Sequence, residues 1–257
     1  MSAIDFVLRP DRLHVFADVA CYYKDGTVGA FKSKIVFVER FPCAVCTMGN
    51  AAAGMLVQDA LAGCASFDDL VAAAPARLSE NEGHDIALAL GGFSDARGVF
   101  EVWYGRTGTG QQFARLELAA GYGGQPQLTD EQWLRGFGKP MRTAAQIVDV
   151  DDFARTVLTL QREHVWGPAQ GYPRNVHLVG GWGELATVTR DGADIRRIID
   201  WPDQIGELIQ VPPIDFNEWR RTHAEQADPA PAPTSQSPRV SRHERRRAAK
   251  AQARKAA

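Results

Sequence analysis

The first 50 residues alternate between apolar and polar positions with a period of two, which is typical of β-strands. Within the segment 13–23, Leu13 and Val15 fall on one face of the predicted strand, and Phe16 and Asp18 fall on the other. This part of the chain is therefore predicted to form an antiparallel meander, with strands at about 4–8, 13–23, 34–38 and 43–48.

Beyond residue 50, stretches with apolar residues at helical spacing alternate with further strand-like stretches. Ser66 and Thr129 each precede an acidic or amide side chain three positions on, which is the pattern of a helix N-cap. The pattern predicts helices at about 51–64 and 149–164, one ending near residue 78 and a short one after Thr129. Further strands are predicted at about 85–90, 99–104, 116–120, 176–179, 185–189 and 195–199.

This order of elements predicts an α/β chain of the α+β kind. Strands that come in hairpins, separated by helices, favour a four-layer αββα sandwich, in which two antiparallel sheets are flanked by helices. A doubly wound parallel sheet fits less well, because its strands come singly between helices. The sandwich domain is predicted to span residues 1–224.

The remaining segment, residues 225–257, has a different composition. It begins with a Pro/Ala linker that is too polar and proline-rich to bury a core, and it is predicted to be disordered. Residues 239–257 contain eight Lys/Arg and one Glu, whereas the rest of the chain has 21 basic and 30 acidic residues. This basic tail is predicted to bind an acidic partner or nucleic acid through non-specific electrostatic attraction, and a role in solubility alone is the other interpretation.

Several observations bear on the compartment. No apolar run approaches the roughly 20 residues that a transmembrane helix needs, and the first residues lack the features of a signal peptide. The four cysteines do not form a secreted disulfide pattern. Cys43 and Cys46 lie on opposite faces of a predicted strand, which favours small buried side chains over a metal site. We therefore expect a cytoplasmic protein without membrane contact and without a cofactor.

Asp18 and Lys34 form the first candidate for chemistry. Aspartate is rare in strands, and an ionised carboxylate among apolar neighbours requires a partner. Lys34, which opens the next apolar strand, is the candidate for that partner. Such a pair serves either folding or catalysis, and its sequence context alone leaves both interpretations open.

The element order and the spacing of four residues resemble the N-terminal-nucleophile hydrolases, most closely the proteasome β subunits and the bacterial peptidase of HslV type. Asp18 and Lys34 are 16 positions apart, and Ser2 lies 16 positions before Asp18, as in that family. Gly49 precedes a helix as the oxyanion glycine of the family does, and Gly180-Gly181 matches a late Gly-Gly pair. The resemblance covers roughly residues 2–200.

The resemblance implies a role for each of these residues. Removal of Met1 leaves Ser2 as the nucleophile, and its own α-amine acts as the general base. Lys34 lowers the pKa of the nucleophile, Asp18 holds Lys34, and the Gly49 N–H stabilises the oxyanion. The implied activity is hydrolysis of amide or peptide bonds, and the implied assembly is a homo-oligomer, ring-like in form.

Three positions depart from the family. Tyr122 and Val179 stand where the family has serine, and Val176 stands where it has aspartate. Because these polar residues orient the nucleophile, the departures favour a second hypothesis, a catalytically inactive assembly subunit of the same fold, with a viral or mobile-element particle as one setting. His177 is a candidate substitute for a lost polar group, and a packed or surface histidine is the other interpretation.

Overall fold

A computed structural model of the chain describes residues 3–38, 40–61, 63–108, 112–117, 122–139, 143–219 and 221. The strands, in chain order, are β1 (Ile4–Leu8), β2 (Arg12–Asp18), β3 (Ala20–Tyr22), β4 (Val28–Phe31), β5 (Ile35–Phe37), β6 (Cys43–Gly49), β7 (Ile86–Ser94), β8 (Val99–Arg106), β9 (Ala114–Arg115), β10 (Tyr122–Gln125), β11 (Trp182–Thr189) and β12 (Gly192–Asp200). The α-helices are α1 (Ala51–Leu61), α2 (Phe67–Ser79), α3 (Asp130–Phe137) and α4 (Val150–Arg162).

The strands form two five-stranded sheets and one two-stranded ribbon. The first sheet has the order β10-β1-β2-β11-β12, the second has the order β5-β6-β7-β8-β9, and β3 pairs with β4. Neighbouring strands in all three are antiparallel. Short connections explain the antiparallel order of the hairpin pairs, such as β1 with β2 and β11 with β12, since parallel strands need long crossovers. The pairs β1 with β10, β2 with β11 and β6 with β7 are antiparallel although long segments separate them in the sequence.

The two large sheets face each other across an apolar core. Leu13 and Val15 of β2 pack in one cluster with Ala87 and Ala89 of β7, and all four are at least 96% buried. The small side chains of β7 let the two sheets approach each other closely. Leu13 and Val15, which share one face of the predicted strand, thus both point into the sandwich.

Helices cover the outer face of each sheet. Val57 of α1 and Leu70 of α2 pack with Leu88 of β7 on the second sheet. On the first sheet, Phe153 of α4 meets Phe16 of β2 edge to face, with ring centroids 6.0 Å apart. The layers are thus helix, sheet, sheet and helix, and the predicted α+β class with antiparallel sheets flanked by helices is confirmed.

The predicted strand at 13–23 is wrong in one respect, because it is two strands. β2 ends at Asp18, and β3 begins at Ala20 and pairs with β4 rather than with the first sheet. The Asp18 carboxylate accepts a hydrogen bond from the Ala20 N–H at 3.1 Å. A side-chain acceptor thus replaces a ladder acceptor at this point, and the chain leaves the sheet.

Two other strands predicted from the sequence are not found among the described residues. In the segment predicted as 116–120, residues 116 and 117 are not in a strand, the two-residue β9 lies before them, and the remaining residues lie outside the described part of the chain. Residues 176–179 do not join a sheet; Val176 makes a single bridge to Trp166. The glycine-rich β10, in contrast, was not predicted, and it forms the edge of the first sheet beside β1.

The chain divides into two units, Met1–Pro212 and Pro213–Ala257. In the second unit, Asp215 accepts hydrogen bonds from the backbone N–H groups of Asn217 and Glu218 and opens a short helical stretch. Residues 225–257, predicted as linker and basic tail, lie outside the described residues. Within the described residues, no helix is both long and apolar enough to traverse a membrane.

Candidate active site

Asp18 is the centre of the site, and its carboxylate is fully buried at the end of β2. Its Oδ2 atom accepts hydrogen bonds from the backbone N–H groups of Ala20 and Gly180, both at 3.1 Å. Its Oδ1 atom accepts one from the N–H of Ala3 at 2.9 Å. These donors bind both oxygens of the carboxylate, and they bring together three segments of the chain that are far apart in sequence.

Lys34 supplies the counter-charge. Its Nζ atom lies 2.6 Å from Asp18 Oδ1, and its side chain is only 8% exposed. Lys34 directly precedes β5, so the strand fixes the position of the backbone while the ion pair fixes the ammonium group. The ion pair expected from the sequence is therefore present, and it is buried rather than on the surface.

Ser2 lies outside the described residues, whereas its neighbour Ala3 lies within them. Ala3 is fully buried, and its backbone N–H shares the Asp18 oxygen that binds the Lys34 ammonium. The structure thus brings the residue that follows Ser2 into contact with the Asp18–Lys34 ion pair.

Gly49 ends β6 and adopts a φ of +92°. A Cβ atom at this position would overlap the backbone carbonyl oxygen of Asp85, so the position requires glycine for both conformation and space. The next residue, Asn50, caps α1 by accepting a hydrogen bond from the Ala53 N–H at 3.1 Å. Gly49 therefore lies at a strand-to-helix junction, as predicted, and is exposed to solvent.

A cavity of about 280 Å³ connects Lys34 with Gly49. Its wall includes Lys32, Ser33 and Met55, and the described residues that line it comprise two lysines and no carboxylate. A second cavity, of about 200 Å³, also borders Gly49 and is lined by Arg106, His164 and others. The Gly49 backbone thus lies where the two cavities meet.

The three positions that depart from the family carry no polar group into this site. Val179 is fully buried, and Val176 is 4% exposed and packs against Gly26. The Tyr122 hydroxyl donates a hydrogen bond to Asp5 Oδ1 at 2.7 Å. The Tyr122 side chain therefore belongs to a separate buried cluster, in which it contacts Asp5 and the ring of Phe153.

That cluster contains an unusual carboxyl group. Asp5 is fully buried, and its Oδ1 atom accepts from Tyr122 and from Gln161 Nε2, whereas its Oδ2 atom has no hydrogen-bond partner among the described residues. Burial raises the pKa of Asp5 well above its ordinary value, and the charge of Asp18 adds to the effect, although the two hydrogen bonds oppose it.

Asp5→Asn is expected to remove a pH dependence of stability. Because the pKa of Asp5 is raised in the folded state, its contribution to stability is present at low pH and is lost as pH rises through the folded-state pKa. The neutral amide mimics the protonated acid, so the variant should gain stability over the wild type as pH rises from 4 to 8. Urea unfolding across that range measures the difference.

Asp11→Asn is the matched control. Asp11 is exposed in the turn after β1, and its hydrogen bond with Arg12 lowers its pKa. Its contribution is therefore constant above its unfolded-state pKa, and the stability difference between this variant and the wild type should not change between pH 5 and 8. An Asp5→Asn variant that follows the wild type at every pH would contradict a raised pKa of Asp5 in the folded state.

The remaining candidates from the sequence lie away from the cavity. Cys43 and Cys46 point to opposite faces of β6, and burial raises the pKa of the Cys43 thiol to about 12 and that of Cys46 further. His177 Nδ1 lies 3.1 Å from the carbonyl oxygens of Arg162 and His164 and so acts as a donor to the backbone. Neither the thiols nor His177 borders the 280 Å³ cavity.

Sequence reasoning missed the buried ion pair of Arg162 and Asp203, whose Nη1 and Oδ2 atoms are 2.6 Å apart. The two residues are 41 positions apart, and neither stands in an unusual sequence context. Among the described residues, no group of three or more His, Cys, Asp or Glu side chains is arranged to hold a metal ion.

Comparison with protein-family models finds no match to this chain, and no curated protein matches it in sequence.

Proposed function

We propose that this chain is an N-terminal-nucleophile hydrolase of amide or peptide bonds, with Ser2 as the nucleophile after removal of Met1. The supporting observation is that two donors from different parts of the chain bind the same oxygen, Asp18 Oδ1. The N–H of Ala3 and the ammonium group of Lys34 both bind this one oxygen, beside a cavity that Lys34 and Gly49 line. A buried lysine next to the first residues of the chain is the arrangement that this chemistry needs.

In the proposed first step, the Ser2 hydroxyl attacks the substrate carbonyl carbon while its own α-amine takes the hydroxyl proton. The positive charge of Lys34 favours the developing alkoxide. Asp18 keeps that charge in place by its 2.6 Å contact. The carbonyl oxygen becomes an oxyanion, which the exposed Gly49 N–H stabilises together with the positive end of α1.

In the second step, the tetrahedral intermediate collapses and the C–N bond breaks. The protonated α-amine of Ser2 returns its proton to the leaving nitrogen, and an ester between Ser2 and the acyl group remains. Water then attacks that ester with the α-amine as base, and the acid product leaves with Ser2 restored. The two cavities on either side of Gly49 provide room for the acyl side and the leaving side of a substrate.

Ser2→Ala is expected to abolish covalent labelling by an epoxyketone, an electrophile that reacts with the hydroxyl and α-amine of one N-terminal residue. Ser2→Thr should keep the labelling, because it retains both groups. Intact mass spectrometry of the purified protein reports Met1 removal and the adduct in one measurement.

Ser33→Ala is the matched control, since Ser33 also lines the 280 Å³ cavity but donates its hydroxyl to Glu184 at 2.6 Å. This variant should label like the wild type. A retained Met1, or an adduct that survives in Ser2→Ala, would contradict the proposal.

A second candidate is a catalytically inactive assembly subunit with the same fold. Val176 and Val179 favour it, because both are buried and neither offers the polar atom that orients a nucleophile in the family. In that case the wild type and Ser2→Ala give no adduct, and light scattering shows a closed oligomer. A monomer that forms no adduct would contradict both candidates.

The proposed assembly and compartment are inferred from the same resemblance and from the cysteines. We infer a homo-oligomeric, ring-like assembly in the cytoplasm, where the four cysteines, all of them free, would stay reduced. The basic tail, residues 239–257, is proposed to bind an acidic partner or nucleic acid.

A further inference from the structure

Arg162 and Asp203 form a second buried ion pair close to the candidate site. Both side chains are 3% exposed, and two parallel contacts join them, from Nη1 to Oδ2 at 2.6 Å and from Nη2 to Oδ1 at 2.5 Å. The guanidinium group also lies over the Trp201 ring, 4.9 Å from its centroid. This bidentate, stacked geometry fixes both side chains.

The pair holds the backbone of one short segment from two sides. Asp203 Oδ2 accepts the N–H of Gly181 at 2.8 Å, and Arg162 Nη1 donates to the carbonyl of Val179 at 2.8 Å. Arg162 Nη2 also donates to the carbonyl of Gln210 at 3.0 Å. The residues before and after Gly180 are therefore both bound to the ion pair.

Gly180 is the residue that connects this ion pair with the candidate site. Its N–H donates to Asp18 Oδ2 at 3.1 Å, and its carbonyl accepts the N–H of Ala20 at 3.2 Å. A Cβ atom on Gly180 would lie 2.5 Å from Asp203 Oδ2 and 3.0 Å from Arg162 Nη1. The ion pair is thus in direct contact with the peptide that binds the Asp18 carboxylate.

The contact between the ion pair and Gly180 matters because the neighbouring valine side chains cannot hold this segment by hydrogen bonds. Val176 and Val179 contribute no hydrogen bonds from their side chains, so the orientation of the segment depends on groups that bind its backbone. Arg162 and Asp203 provide such groups, and they do so without entering the cavity, since neither residue lines it.

We propose that Asp203, together with Arg162, is a positioning residue for the Asp18–Lys34 site: the pair holds residues 179–181 so that the Gly180 N–H stays directed at Asp18. This inference rests on the proposed hydrolase function for its catalytic consequence. Its structural consequence, the hydrogen bond of Gly180, is independent of any activity.

The double variant Arg162→Met/Asp203→Leu tests the proposal. An apolar replacement of both partners leaves no buried charge unpaired, so the double variant is expected to fold. The Gly181 N–H nevertheless loses its acceptor and the Val179 carbonyl loses its donor. We expect the maximal rate of epoxyketone labelling at Ser2 to fall about 10- to 100-fold, with the half-saturating concentration of the electrophile unchanged.

Leu70→Ala is the matched control for stability. Leu70 is fully buried in α2, on the outer face of the other sheet, so its truncation lowers the melting temperature without touching Gly180. This control should label at the wild-type rate at a temperature where it is folded. If the double variant also labels at that rate, the ion pair serves folding alone and the positioning role is wrong.

Hydrogen exchange provides a readout that needs no activity. In the double variant, the Gly180 amide is expected to exchange about 10-fold faster or more, whereas the Leu88 amide in the second sheet keeps its protection. If wild-type protein forms no adduct, the hydrolase proposal fails, while this exchange result still decides the positioning role. Unchanged exchange at Gly180 would overturn it.

Discussion

Lys34→Met is expected to lower the free energy of unfolding by about 3–5 kcal/mol, because it leaves the Asp18 carboxylate buried and without a counter-charge. Three backbone N–H groups still bind Asp18 in the variant. They are dipoles and replace only part of the interaction with a full charge 2.6 Å away. Urea unfolding followed by circular dichroism measures the stability, and epoxyketone labelling of the same sample should be abolished.

Two further variants separate charge from packing. Asp18→Asn/Lys34→Met removes both charges and should be more stable than the single Lys34→Met variant, since no buried charge is then unpaired. Arg77→Met breaks an exposed pair with Glu80 and should change stability by no more than about 1 kcal/mol. A Lys34→Met variant as mild as Arg77→Met would show that the Asp18–Lys34 ion pair contributes little to folding.

Gly49→Ala is expected to destabilise the protein on the order of 2–4 kcal/mol and to stop labelling. The φ of +92° is strained for alanine, and the new methyl group overlaps the Asp85 carbonyl, which belongs to the backbone and cannot rotate away. The junction of β6 and α1 must shift to relieve the overlap, and the Gly49 N–H moves with it.

Gly63→Ala gives the comparison for a glycine without these constraints. An added Cβ atom at Gly63 meets nothing within 4 Å, and alanine there should be close to neutral. Thermal unfolding of the two variants at one pH provides the measurement. Equal melting temperatures for Gly49→Ala and the wild type would mean that the β6–α1 junction accommodates a side chain without loss of stability. The position would then not require glycine.

The local sequence predicts the two faces of β2, because successive side chains of a strand point to opposite sides of the sheet. Val15 and Phe16 fall on opposite faces of β2 in the sequence, and they pack into opposite layers in the structure. Such patterns do not predict a strand that forms because its backbone pairs with a strand far away in the sequence. The segment Tyr122–Gln125 has too few side chains to alternate and becomes a strand because β1 offers an unpaired edge.

The same distinction applies to the site. The pairing of Asp18 with Lys34 could be predicted, because a charge among apolar strand residues signals a missing partner. Asp203 gave no such signal, since it lies in the connection after β12 and its buried partner, Arg162, belongs to a distant helix. The burial of Asp5 was likewise hidden, because its two donors come from Tyr122 and Gln161, far away in the sequence.

The hydrogen bonds of Asp18 also have a consequence for the order of synthesis and folding. The Gly180 N–H reaches Asp18 across 162 positions of sequence, and Ala3 reaches it across 15. A ribosome-bound chain that lacks residue 180 therefore contains Ser2, Asp18 and Lys34 but not the complete set of donors. Contacts of such long range close late in folding. In the nascent chain, the Asp18 carboxylate therefore cannot have its complete set of hydrogen-bond donors until residue 180 has been synthesised.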